Sequence, residues 1–193
     1  MKPSLSQKSG LASVASLASV ASAAVAALFI FYAPTAHADT TAAADLDFDT
    51  PVSSHFPADA KSGGGFGIRL GQQFHVPLLV VNPEIGFTYA SFSHDETPKV
   101  YRGIVGVRLG VGEILRPGVF AHVGIGHLDL SPPSYVPDAS HNGFTYDAGI
   151  FLDFTAIPFL NIGIHGAYNN LASSDSVRSF QWINLGAHAA LVF

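Results

Sequence analysis

The chain has 193 residues, enough for one domain, and is 48% hydrophobic with only 12% charged residues. Beyond the first 40 residues no stretch approaches the roughly 18 apolar positions of a transmembrane helix, so the hydrophobic side chains must fill a core or alternate along strands. The absence of cysteine excludes disulfide staples, thiolate metal centres, cysteine nucleophiles and a lipid-modified cysteine anchor. A net charge of −5 without a basic cluster excludes nucleic acid as a partner.

Lys2 and Lys8 precede an apolar stretch from Leu11 to Tyr32, and Ala36-His37-Ala38 follows Pro34. A positive end, a hydrophobic segment and an A-x-A site make a secretory signal peptide over residues 1–38, with cleavage after Ala38. The expected mature domain is 39–193. Both leader lysines are lost with it, while all 14 acidic residues are retained.

Asp45-Leu46-Asp47-Phe48-Asp49 alternates strictly and is the first candidate strand, cut short by Pro51. In the second, Phe66, Ile68, Leu70 and Phe74 oppose Gly67, Arg69, Gly71 and Gln73, with Gln72 a flaw in the apolar face. In the third, Val81, Ile85, Phe87 and Tyr89 oppose Glu84, Gly86, Thr88 and Ala90, and Pro83 calls for a bulge or a strand start. Tyr101, Gly103, Val105, Val107, Leu109 and Val111 then alternate with Arg102, Ile104, Gly106, Arg108 and Gly110. Val119, Ala121, Val123 and Ile125 alternate with Phe120, His122, Gly124 and Gly126. In the sixth, Phe144, Tyr146, Ala148, Ile150, Leu152 and Phe154 oppose Thr145, Asp147, Gly149, Phe151 and Asp153. Leu160, Ile162, Ile164 and Tyr168 oppose Asn161, Gly163, His165 and Asn169. The last strand sets Ile183, Leu185, Ala187, Ala189, Leu191 and Phe193 against Asn184, Gly186, His188, Ala190 and Val192.

Eight strands of period two predict an all-β fold: an eight-stranded antiparallel up-and-down transmembrane barrel. The connections alternate in length. Those at 53–64, 93–99, 129–142 and 172–179 are longer than those at 75–77, 112–116 and 155–158, as expected for outer loops and inner turns. Phe66, Tyr89, Tyr101, Phe144, Tyr146 and Tyr168 gather toward the outer rim, and Phe74, Phe154 and Phe193 toward the inner one, as two aromatic girdles. A soluble periplasmic lipocalin-like binding barrel satisfies the same alternation with its faces exchanged. The girdles, the loop asymmetry and the terminal Phe193 favour the membrane form.

The inward face carries Glu84, Asp147 and Asp153 against Arg69, Arg102 and Arg108, with Asp45, Asp47, Asp49, His122, His165 and His188. The lumen of eight strands is narrow enough for side chains to fill, so these charges read as a structural network and not as a pore or a catalytic centre. Asp45 and Asp153 are expected near the inner mouth, solvated and without need of partners.

The stretches Gly65-Phe66-Gly67-Ile68-Arg69-Leu70-Gly71, Pro83-Glu84-Ile85-Gly86, Gly103-Ile104-Val105-Gly106-Val107-Arg108 and Trp182-Ile183-Asn184-Leu185-Gly186 resemble the small bacterial outer-membrane β-barrel families, which include the transmembrane domain of outer-membrane protein A. The resemblance covers nearly the whole mature chain and implies the outer membrane of a Gram-negative bacterium. The last strand, with Asn184, Gly186, Leu191 and Phe193, also resembles the signal read by the barrel assembly machinery. The implied partners are outer-membrane lipid and that machinery, with a monomeric barrel and no cofactor. Such barrels host adhesion, ligand contact, lipid modification and plain structural roles, so the fold alone does not select one.

Two sharper readings fail on the residues. Lipid A deacylases use a His–Ser pair, but Gly166, Ala167, Tyr168 and Asn169 follow His165 with no serine at a suitable offset. Ser140-His141 lies in a loop without an orienting partner. His127 and His141 bracket a segment with Asp129 and Asp138, yet no spacing matches a zinc motif. The sequence therefore predicts neither catalysis nor a metal site, but a structural or surface-interaction barrel.

Overall fold

Strict alternation commits each segment to a sheet with one apolar and one polar face, and such a sheet is stable only where each face meets its own solvent. The computed structural model describes residues 38–52, 61–93, 97–130, 139–173 and 179–193. They form β1 (Ala38–Pro51), β2 (Lys61–Val76), β3 (Leu79–Ser93), β4 (Lys99–Gly110), β5 (Leu115–Leu130), β6 (Ala139–Ile157), β7 (Leu160–Ser173) and β8 (Ser179–Val192). Each strand pairs antiparallel with its neighbour in sequence, and β1 pairs with β8 to close the barrel. The closing seam is completed at the C-terminus, where Phe193 N donates to Thr40 O at 3.0 Å and Thr40 N donates to Phe193 O at 2.7 Å. Closure leaves no open sheet edge, as a β-structure in hydrocarbon requires.

The outward face is apolar along every strand. Leu46, Ile68, Ile85, Ile125, Ile150, Ile164 and Leu185 all stand exposed, Ile125 to 77%. A surface of this kind is stable against acyl chains and not against water. The lipocalin-like arrangement, with apolar side chains inside, is the reverse of what the fold shows. A cross-strand row of rings marks the outer end of this face. Phe66 pairs with Tyr89, Tyr89 with Tyr101 and Tyr101 with His127, at centroid separations of 5.4, 5.1 and 6.3 Å. Phe154 and Phe193 are exposed toward the other end, where the short turns at 77–78, 111–114 and 158–159 lie.

Two expectations about strand limits are corrected. The first strand is not confined to Asp45–Asp49 but begins by Ala38 and ends on Pro51, because Thr40 to Ala44 pair fully with β2 despite their short side chains. Pro83 neither starts a strand nor forms a bulge. β3 runs through it in unbroken register, with Pro83 opposite Val107 on β4, and only the pairing toward β2 lapses between Gly71 and Phe74. A proline lacks the N–H for one ladder bond and is accommodated where that bond is missing. The expected cleavage site after Ala38 adjoins residues 1–37, which lie outside the described residues.

Candidate functional site

The lumen is built in layers. At the outer end Phe92, Val100, Leu128, Leu171, Phe180 and Trp182 form a buried apolar cluster with Ala90. Phe92 meets Phe180 edge-on at 5.1 Å, and Phe180 stacks on Trp182 at 5.0 Å. This apolar layer, a cap, fills the outer end of the described barrel. Of this cluster the sequence reading assigns only Ala90 to the inward face, and the charged lumen it expects does not include an apolar layer.

Beneath the cap the six expected charges, Arg69, Glu84, Arg102, Arg108, Asp147 and Asp153, all face inward and are all buried. The structure brings them together with three histidines and two further aspartates. Arg69 clamps Asp45 with two bonds, Nε to Oδ2 at 2.8 Å and Nη2 to Oδ1 at 2.7 Å, and donates from Nη1 to Glu84 at 2.7 Å. Glu84 and Asp147 hold His122 between them at 2.8 and 2.6 Å. Both ring nitrogens therefore face carboxylates and both must donate, so His122 is an imidazolium. Asp147 also accepts from Arg102 at 3.2 Å, and Arg102 lies 4.9 Å over the Trp182 ring, joining the ionic layer to the cap.

A second chain of contacts runs along the other wall. Asp153 accepts from His188 at 2.8 Å, His188 meets His165 at 3.1 Å, and His165 meets Asp47 at 2.7 Å. Asn184 donates to the same Asp47 oxygen at 3.1 Å and accepts from Asn169. Arg108 lies 3.7 Å from Asp153 and stacks on Phe151 at 4.0 Å. Asp49 is buried under the cap with its Oδ2 unpartnered among the described residues.

The expectation that Asp45 and Asp153 sit solvated at the mouth is overturned. Both are buried and paired, Asp45 in mid-barrel because β1 starts seven residues before it. Arg116 was missed. It is a fourth buried guanidinium, bonded to Gln73 Oε1 at 3.2 Å and Gly112 O at 3.3 Å. It shares a face with Phe120 and His122, so carrying the alternation of β5 back past Pro117 would have found it; the sequence reading instead begins the strand at Val119 and leaves Arg116 in the preceding turn. Toward the inner end a cavity is lined by Thr41, Gln73, Asn82, Arg116, Asn161 and His188, among others.

Of the four expected assembly-signal residues, Leu191 and Phe193 face outward and exposed, while Asn184 and Gly186 face the lumen. A Cβ on Gly186 would stand 2.3 Å from Asp47 Oδ1, so the lumen itself requires glycine there. His127 lies on the outward face and accepts or donates with Asn142 at 2.8 Å, so it does not join a metal-ligand cluster with Asp129. Asp138 lies outside the described residues.

No protein-family model matches the chain, and no curated protein sequence does. Solved structures match by fold. Neisserial surface protein A is 14% identical with a TM-score of 0.63, over 81% of this chain and 99% of that one. Ail, the attachment invasion locus protein of Yersinia pestis, is 16% identical with a TM-score of 0.58, over 81% and 99%. The outer membrane enzyme PagL is 9% identical with a TM-score of 0.51, over 77% and 98%. The chain thus has the fold of small outer-membrane β-barrels, in agreement with the resemblance read from its strand motifs.

Proposed function

We propose that this protein is an outer-membrane β-barrel of a Gram-negative bacterium, with a structural or surface-contact role and a lumen closed by its own side chains. The observation that carries the reading is the inversion of the molecule. Its exterior is a continuous apolar band, while Arg69, Arg102, Arg108 and Arg116 are enclosed with six carboxylates under an aromatic cap. An enclosed ionic lattice spanned by side chains leaves no aqueous path, in contrast with the wide barrels of porins. The two fold relatives with the higher TM-scores are named as a surface protein and an attachment protein, which supports a surface role. The partners that follow are membrane lipid around the barrel and, during biogenesis, the assembly machinery reading the last strand, with the barrel itself acting as a monomer.

The test combines localisation with conductance. The protein is expected to stay with the membrane in carbonate, to change gel mobility on boiling, and to give no large stable conductance in planar bilayers. Release by carbonate, or reproducible porin-like steps, would overturn the proposal.

The likeness to PagL raises a lipid-modifying enzyme as a second reading. Against it, all six ring nitrogens of His122, His165 and His188 are engaged by carboxylates or by each other and face the lumen, away from lipid, and the outward His127 bonds Asn142 and not a serine. A hydrolase of that kind needs a histidine free to activate a hydroxyl at the lipid boundary. Lipid A from cells with and without the protein should give the same mass spectrum.

A further inference from the structure

The contact between His165 and His188 has an unusual electrostatic form. His165 Nε2 faces Asp47 at 2.7 Å and His188 Nε2 faces Asp153 at 2.8 Å. Arg108 Nη2 also approaches His188 Nε2, but at 3.4 Å it is the farther contact. The nearer carboxylates favour a proton on each Nε2, so the neutral form of each ring is the Nε2–H tautomer and its Nδ1 is a bare lone pair. Those two Nδ1 atoms point at each other across 3.1 Å. Two lone pairs at that distance repel unless a cation lies between or beside them. The carboxylate of Asp45 offers a third donor, all three ligand atoms lying within 4.8 Å of one another.

We propose that Asp45, His165 and His188 form a zinc-type divalent-metal site inside the barrel, ligated through His165 Nδ1, His188 Nδ1 and an Asp45 oxygen. Tetrahedral coordination with Zn–N of about 2.0–2.1 Å places two ligand atoms roughly 3.3 Å apart, close to the separation that the two imidazoles already have. With the ligand atoms now within 4.8 Å of one another, Asp45 must approach by up to about 1.5 Å to complete the set, leaving one position for water.

The arrangement around these ligands has the form that metal sites require. Each histidine donates its far N–H to a carboxylate, which fixes its tautomer and raises its basicity, and the ligating carboxylate is itself hydrogen-bonded, here by Arg69. Arg69 uses one lone pair on each Asp45 oxygen, and the others stay free for a metal. The strand register builds the site. Asp153, Gly163, His188 and Asp45 follow one another across β6, β7, β8 and β1, and Phe151, His165, Gly186 and Asp47 form the adjacent row. Gly163 and Gly186 stand opposite His188 and His165, where a Cβ would come within 2.6 Å of His188 Nε2 and 2.8 Å of His165 Cε1. Arg69 and Arg108 flank the site as competing cations, but Asp45, Asp47 and Asp153 outnumber them. His188 lines the cavity toward the inner end, together with Asp153, Glu84 and the guanidiniums of Arg69, Arg108 and Arg116. Sequence spacing could not reveal the site, because its three ligands come from three strands.

The test uses untagged protein, folded in detergent, stripped with chelator and then equilibrated with Zn2+ alone. One ion per barrel is expected, and 15N spectra of the histidines should show both Nδ1 resonances moving while both Nε2 protons stay in place. Asp153→Asn should weaken affinity about 10- to 100-fold. His188→Gln should abolish stoichiometric binding while the barrel keeps its heat-modifiable mobility, and His75→Asn and His127→Asn should leave binding intact. The native spectra carry the test even where a variant does not fold. Stoichiometric Zn2+ with unmoved Nδ1 resonances would place the ion elsewhere and overturn the proposal. So would an absence of binding with a proton found between the two Nδ1 atoms.

Discussion

Arg69 holds more of the lumen than any other single side chain, since it joins β1 to β3 by clamping Asp45 and reaching Glu84. Replacing it leaves two buried carboxylates without their cation, and breaking a buried pair in this one-sided way costs about 3–5 kcal/mol. Arg69→Met should lower unfolding stability by that amount in urea titrations of the folded barrel, and adding Asp45→Asn should recover part of the loss. A change below about 1 kcal/mol would mean the charges are solvated and not enclosed. Which residues turn inward was readable at this scale, because period two assigns every residue to a face. Who pairs with whom was not. That depends on cross-strand register and on the reach of arginine side chains, which is why Asp45 and Asp153 were expected in water; Arg116 was overlooked because the fifth strand was begun at Val119 and not at Leu115.

At the scale of strands, small residues decide how closely neighbours approach. Gly106 faces the lumen, and a Cβ there would meet Ala121 O at 2.1 Å and His122 Cδ2 at 2.4 Å. Gly103, on the same strand, faces outward with nothing within 4 Å. Gly106→Ala should therefore sharply reduce the folded fraction on a heat-modifiability gel, whereas Gly103→Ala should fold like the native chain; equal behaviour would contradict the packing of β4 against β5. Phe193 is tested separately. Its removal deletes two backbone bonds of the β1–β8 seam as well as the terminal aromatic residue, so outer-membrane yield should fall. Unchanged yield would count against both the seam and the assembly signal. The strands themselves were mostly readable from alternation, with two exceptions of physical origin. Thr40 to Ala44 have side chains too short to advertise a face, which hid the first half of β1. Near the outer rim Phe92, Val100, Leu128 and Phe180 are apolar on the inner side too, so the contrast that marks a lumen fades where the cap begins.

The whole molecule is an inversion of a soluble protein: charge inside, hydrocarbon outside, and a backbone closed on itself. That arrangement is the reason most of the Asp, Glu, Lys and Arg side chains among the described residues are buried, and the reason no helix among the described residues is needed to cross a membrane. Because the chain has no cysteine, a single one can be introduced and spin-labelled at each position from Ile183 to Val192 in turn. In lipid vesicles, accessibility to oxygen should alternate along β8, high at 183, 185, 187, 189 and 191 and low at the positions between, with a water-soluble relaxant excluded from the first set. Alternation of opposite phase, or water-soluble relaxant reaching 185 and 187, would contradict the account.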